Sequence, residues 1–218
     1  PEFLEQVEAA GVHFVLAHGD AANQLMMGKD KVTCAADLKG KIINVSSTID
    51  QTLLESLGAT VEMFNPADVY DNMSKGVLDG YAFSYCGAGI WGTADVTKYV
   101  TNIMASHATW LYVMNLDKYN SLSDEYKKYF DLDYTADFMV ALGYQFYNDE
   151  TLGNKAMADQ IEVVQTEEIT DYADWVAASE PIYADWIEKV TAAGYDGEAM
   201  YATWEGLLEK YATADWSG

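Results

Sequence analysis

Three histidines, His13, His18 and His107, and two cysteines, Cys34 and Cys86, are the chain's whole stock of imidazoles and thiols. His13 and His18 stand five apart with Asp20 close behind, which fits neither an HExxH helix nor a Cys/His zinc pattern. No G-x-S-x-G elbow and no P-loop occurs. Carboxylates are abundant at 35, so dense that a carboxylate pair at any given spacing carries no information. These residues argue against an enzyme, an acid–base hydrolase included, and no metal or cofactor is expected. The cysteines allow one disulfide or two buried thiols, and the reading favours thiols. The sequons at Asn44 and Asn72 read as chance.

Groups suited to non-covalent binding are better represented. The Asn44 amide offers two donors and one acceptor without charge. Tyr81, Phe83, Tyr85 and Trp91 supply rings within a short span. On a strand, alternate residues point to one side, so Tyr81, Phe83 and Tyr85 would share a face that lines either a binding surface or the core.

All 12 basic residues are lysine, there is no arginine, and the net charge is −23. Nucleic acid is therefore not an expected partner, because phosphate binding needs clustered cations. The 218 residues are 50% hydrophobic and 13% aromatic, a globular composition long enough for one large domain or two small lobes. No apolar run approaches the length of a membrane span. Pro1 is not followed by the basic and apolar regions of a signal peptide.

The first half alternates strand and helix signals. Residues 12–16 and 41–45 are apolar strand candidates, the second entered through the Leu38-Lys39-Gly40 turn. Residues 48–57 predict a helix with Ile49, Leu53, Leu54 and Leu57 on one face, capped within Ser46–Thr48 and stopped by Gly58. Residues 60–64 return as a strand. Asn65 caps the next helix, with Pro66 in its first turn, and Lys75-Gly76 ends it. Asp79-Gly80 reads as a turn into a strand over 81–85. This order predicts a parallel or mixed α/β sheet. The second half is helical over about 122–147, with Ser123 as a candidate cap. A short strand follows at 161–165, then closing helices over 169–193 and 198–211. Trp175 and Trp186 are expected core anchors, and Pro181 would kink or split the first closing helix.

Several of these segments carry a resemblance. Asp37-Leu38-Lys39-Gly40-Lys41-Ile42-Ile43-Asn44-Val45 resembles the turn and strand of the extracytoplasmic solute-binding proteins of tripartite ATP-independent periplasmic (TRAP) transporters. Leu57-Gly58-Ala59, Asp68-Val69-Tyr70 and Gly76-Val77-Leu78-Asp79-Gly80 are similar to the next stations of that family. Lys98-Tyr99-Val100-Thr101, His107 and Val113-Met114-Asn115 match later ones, and Trp175, Pro181, Trp186 and Gly194-Tyr195-Asp196-Gly197 resemble its closing helices. Within this pattern His107 is read as a structural histidine and Asn115 as a holder of backbone geometry.

The resemblance implies an α/β fold: a two-lobed periplasmic-binding-protein-like clamp with mixed sheets and long C-terminal helices, its first lobe mostly absent from this chain. Residues 1–17 would end the first lobe, 18–104 form the second, 105–149 return to the first with a long spanning helix, and 150–218 close the second. The ligand would sit between the lobes, with hinge-like closure. The function implied is extracytoplasmic binding of a small organic solute and its delivery to the TRAP membrane permease. The alternative is a structural or interaction protein that keeps the fold without its ligand, and self-association stays open.

The family's carboxylate-binding arginine falls at Asn44, and a second arginine falls near Asn23 or Gln24. The polar run after Asp-Gly is replaced by Tyr81, Ala82 and Phe83. The ligand-binding residues carried over are thus Asn44, Gln24, Phe83, Tyr81, Trp91 and Tyr85. An organic acid, a neutral polyol, sugar or aromatic compound, and a cationic amine held by cation–π contacts all remain open as ligands.

Overall fold

The computed structural model describes residues 2–211. Its backbone divides into two compact units. The first is built from Pro1–Gln24, Phe83–Gly92 and Met104–Gln160, the second from Leu25–Ala82, Thr93–Ile103 and Ile161–Gly218.

The second unit is organised on a six-stranded mixed sheet. Its strands are β2 (Gln24–Met27), β3 (Ile42–Asn44), β4 (Thr60–Glu62), β5 (Gly80–Phe83), β6 (Tyr99–Thr101) and β8 (Glu162–Val164). They lie in the order β4-β3-β5-β2-β6-β8. β3 is parallel to β4 and β5, β2 runs antiparallel to β6, and β6 is parallel to β8. The alternating signals of the first half therefore give the mixed α/β sheet they predict.

Local chemistry explains the elements. Asp37 of the Asp-Leu-Lys-Gly turn accepts the amides of Thr33 (2.9 Å) and Cys34 (3.2 Å) and the Thr33 hydroxyl (3.1 Å). These bonds, the Thr33 amide foremost, hold its carboxyl below the usual range. Gly40, at φ +76°, turns the chain into β3. Helix α2 (Thr48–Ser56) is capped by Ser47, whose oxygen accepts the Asp50 amide, and it buries Leu53 and Leu54. Ile49 faces outward, so the apolar face is narrower than its spacing predicts. Helix α3 (Pro66–Ser74) starts at Asn65, which accepts the Ala67 amide. Asp79 is more than a turn residue: its carboxylate accepts the Ile42 amide at 2.8 Å. Gly80 then opens β5 where a Cβ would lie 2.4 Å from the Met27 sulfur and 2.6 Å from the Met26 carbonyl oxygen. Only glycine fits there.

Helices α8 (Tyr172–Ala192) and α9 (Gly197–Tyr211) complete this unit. Pro181 lies inside α8 without splitting it. Trp175 is buried and donates from its indole to Asp171 at 3.0 Å, and Asp171 in turn accepts the Ala35 amide. Trp186 corrects the expectation: it is 41% exposed on α8 and anchors no core.

In the first unit, β1 (Val12–Gly19) pairs antiparallel with β7 (Thr109–Asn115). The same unit holds helices α1 (Glu2–Ala9), α4 (Tyr85–Ile90), α5 (Leu116–Asn120), α6 (Asp124–Lys127) and α7 (Leu132–Ala158), of which α1 and α7 pack on β1. The helical signal expected over 122–147 resolves into short α6 and long α7, which continues past Tyr147. Ser123 precedes α6 but its side chain makes no capping bond. Asn115 accepts the Lys118 amide and so starts α5. His107 is exposed, which corrects the structural role expected for it. Cys34 and Cys86 are both free thiols, partly rather than fully buried.

Candidate functional site

Ligands of open α/β sheets bind outside the carboxyl ends of the strands, and Asn44 is the last residue of β3. It is fully buried. Its Oδ1 accepts the Phe64 amide at 2.8 Å, while its Nδ2 has no hydrogen-bond partner. The backbone donor at Phe64 fixes which way the amide points, so Asn44 presents only N–H groups to anything else. A buried unpaired donor costs about 1–3 kcal/mol. Its complement is an acceptor: a carboxylate, carbonyl or hydroxyl oxygen. A cationic ammonium, which only donates, does not pair with it.

Tyr81 stands beside Asn44 on the neighbouring strand. Its ring is fully buried in the core of the second unit. Thr97 donates its hydroxyl to the Thr93 carbonyl at 2.9 Å, so the Tyr81 hydroxyl donates to Thr97 at 2.6 Å. Burial pushes the phenol up to about 12, and the Thr93 and Thr97 hydroxyls pull it partly back.

Of the other four residues carried over, Tyr85 and Trp91 belong to the first unit, while Gln24 opens β2 and Phe83 closes β5. Gln24 is buried with both ends of its amide engaged: Oε1 accepts the Met104 amide at 3.0 Å, and Nε2 donates to the Ala22 carbonyl at 3.3 Å. Met104 adopts φ +46°, a left-handed conformation that is strained for a side chain of its size. Gln24 therefore fastens a strained backbone.

Phe83, the last residue of β5, is buried. Tyr85 is also buried but opens α4, so the three-residue strand face expected for Tyr81, Phe83 and Tyr85 does not exist: Ser84 ends the strand and caps the helix by accepting the Gly87 amide at 3.0 Å. Trp91, at the end of α4, is 45% exposed, the most open ring of the set.

The seat of α4 escaped the sequence. Glu150 on α7 accepts the amides of Tyr85 (3.1 Å) and Cys86 (2.8 Å) with its two oxygens. Burial raises its carboxyl pKa despite those bonds, and the Asp20 charge raises it further. Gly153, one turn on, brings α7 against the Tyr85 carbonyl, where a Cβ would lie 3.0 Å from the carbonyl carbon. One of 35 carboxylates carries no distinguishing pattern. Glu150 followed by Gly153 was the one available sign of a close approach.

In the first unit His13 approaches a carboxylate. Its ring stacks on Tyr119 at 3.5 Å, and Nε2 lies 3.1 Å from the Phe130 carbonyl and 3.6 Å from Asp131. Tyr119 donates its hydroxyl to Asp131, which pushes the phenol up to about 12. Among the described residues, no group of three or more His, Cys, Asp and Glu is placed to hold a metal ion.

The family model of bacterial extracellular solute-binding proteins, family 7, matches residues 1–189. Solved structures of TRAP solute-binding proteins share the fold. A marine metagenome protein described as specific for aromatic acid ligands, in complex with metahydroxyphenylacetate, is 26% identical; the match covers 96% of this chain and 68% of that one, with a TM-score of 0.81. A protein from Rhodoferax ferrireducens T118 with copurified benzoate is 19% identical over 97% of this chain and 67% of its own, with a TM-score of 0.82. One from Chromohalobacter salexigens with bound D-glucuronate is 14% identical over 86% of this chain, with a TM-score of 0.76. The present chain spans 62% of the length of that last structure. No protein of curated function matches the chain. With a family model matched across most of its length and the fold shared with solved members, the chain belongs to the TRAP-type bacterial extracellular solute-binding proteins of family 7.

Proposed function

We propose that the protein binds a small organic acid in the periplasm, with aromatic acids foremost, and passes it to a TRAP membrane permease. One observation carries the ligand class. The solved relative described as specific for aromatic acids is 26% identical across 96% of this chain. Asn44 supports the reading from the second unit, because its unpaired buried donors call for an oxygen acceptor. This chain has no arginine, so the contact it offers the acid at Asn44 is a hydrogen bond from a neutral amide and not a guanidinium fork. Trp91 is the carried-over ring we assign to ligand contact, since Tyr81, Phe83 and Tyr85 are spent in the core. Among the described residues no helix is long and apolar enough to cross a membrane.

Calorimetric titration with 3-hydroxybenzoate, benzoate, glucuronate, glucose and choline tests the assignment. Saturable binding of the two aromatic acids, weaker for glucuronate and absent for choline, is the expected pattern. Binding of choline or glucose in preference to every acid overturns it.

A further inference from the structure

Helix α4 does not owe its existence to its own sequence. It spans six residues, Tyr85–Ile90, two of them glycine. Helices shorter than about 12 residues are marginal in water even when rich in alanine, and glycine is among the poorest helix formers. The segment is also an excursion of the chain, which joins the first unit at Phe83 and leaves it after Gly92.

What holds α4 comes from α7. The amides of Tyr85, Cys86 and Gly87 open the helix, where its own ladder offers them no acceptor. Ser84 takes the Gly87 amide from within the segment. The Tyr85 and Cys86 amides go to the two carboxylate oxygens of Glu150, at 3.1 and 2.8 Å. Gly153 lies one turn further on the same face of α7. A Cβ there would stand 3.0 Å from the Tyr85 carbonyl carbon and 3.2 Å from the Cys86 nitrogen. Glycine thus lets α7 come close enough for one carboxylate to reach both amides. The far end of α4 carries Trp91, whose amide donates to the Gly87 carbonyl at 3.0 Å. The backbone of Trp91 is therefore placed by the same helical turn that Glu150 starts.

We propose that Glu150 is a positioning residue for ligand binding: its carboxylate keeps α4 helical and thereby fixes the Trp91 ring. The proposal rests on the assignment of Trp91 to ligand contact. Glu150 acts through α4 and does not itself touch the ligand.

Three readouts on Glu150→Ala test this. Hydrogen exchange over residues 85–91 of the unliganded protein should accelerate at least tenfold. The emission of Trp91, taken as the difference from the same protein carrying Trp91→Phe, should move to longer wavelength as the ring is released. The Kd for 3-hydroxybenzoate should rise at least fivefold. Adding Gly89→Ala strengthens the helix at a position where nothing lies within 4 Å of the new Cβ. It should recover about two- to fivefold in both exchange and affinity, a rescue that a carboxylate in direct contact with the ligand would not show. If Glu150→Ala fails to fold by circular dichroism, Glu150→Gln, which keeps one acceptor for the two amides, should give smaller shifts of the same sign. Unchanged exchange and Trp91 emission, unchanged affinity where the wild type binds, or no rescue by Gly89→Ala overturns the proposal. A wild type that does not bind 3-hydroxybenzoate refutes the ligand assignment instead, and exchange and emission still decide whether Glu150 places Trp91.

Discussion

Replacing Asn44 probes both the fold and the proposed ligand, and the structure separates the two effects. In Asn44→Ala the Phe64 amide loses the acceptor it holds at 2.8 Å, a loss of about 1–3 kcal/mol if nothing replaces it. The same substitution removes Nδ2, a buried donor with no partner, and thereby recovers a similar amount. The two changes nearly cancel, and the residual cost is about 1 kcal/mol of lost packing. For a chain of this size that lowers Tm by about 2–4 °C.

Ligand affinity has no such compensation. A hydrogen bond from a neutral amide to an ionised carboxylate contributes about 1.5–3 kcal/mol, so Asn44→Ala weakens acid binding by roughly 10- to 150-fold. Asn44→Asp keeps an acceptor for Phe64 and loses both donors, and it places a carboxylate against the ligand's own; acid binding disappears. Calorimetry and thermal melts on the same samples read both quantities. Unchanged affinity in Asn44→Ala removes Asn44 from the site. A fall in Tm above about 10 °C would show that Nδ2 is partnered after all, because only an uncompensated loss is that large.

Three further expectations rest on the scaffold. Asp37 has a depressed carboxyl pKa, so its contribution is present above the unfolded value and lost as pH falls through the folded one. Asp37→Asn should lower Tm at pH 7 by a few degrees, and the gap should close in acid. Glu150 has the opposite sign: its carboxyl is raised by burial, so the wild type loses stability relative to Glu150→Gln as pH climbs from the ordinary glutamate range through the raised value. A Tm difference that stays flat across that window refutes the assignment. Gly80→Ala should cost about 3 kcal/mol or more, because its Cβ meets the Met26 backbone, whereas Gly89→Ala, with open space around it, should gain about 0.5–1 kcal/mol in helix α4. Chemical denaturation compares the pair directly.

Where a residue's role depends on its near neighbours in sequence, the pattern revealed it. Asn65-Pro66 marks the start of α3, Gly40 and Gly58 mark turns, and the alternation over residues 41–83 yields the parallel core of the sheet. Roles set by distant partners were hidden. Ile49 has helical spacing with Leu53, yet it stays half exposed. Tyr85 follows two strand residues of its own parity, but Ser84 diverts the chain into a helix seated on Glu150, 65 positions away. Gln24 was placed in the site by the family pattern, and in the fold it holds Met104 in a strained turn. β7 went unrecognised because its exposed apolar residues are arranged on both faces, which erases the alternation that identifies a half-buried strand.

On the proposed reading, in which Asn44 holds the place of the family's arginine, selectivity arises differently. A guanidinium rewards any anion that reaches it, so the remaining contacts need only shape the rest of the ligand. An amide whose acceptor is already committed to Phe64 rewards any oxygen, charged or not. Preference for an acid must then come from excluding water around the bound carboxylate, where a hydrogen bond to charge outweighs one to a hydroxyl. A site that works this way gains little from long-range attraction, and in a chain of net charge −23 the field opposes an anion's approach. Association of the acid should therefore speed up as salt rises, the reverse of an arginine-lined site. Stopped-flow measurement of the on-rate for 3-hydroxybenzoate across ionic strength distinguishes the two, and a rate that falls with added salt refutes recognition by neutral donors.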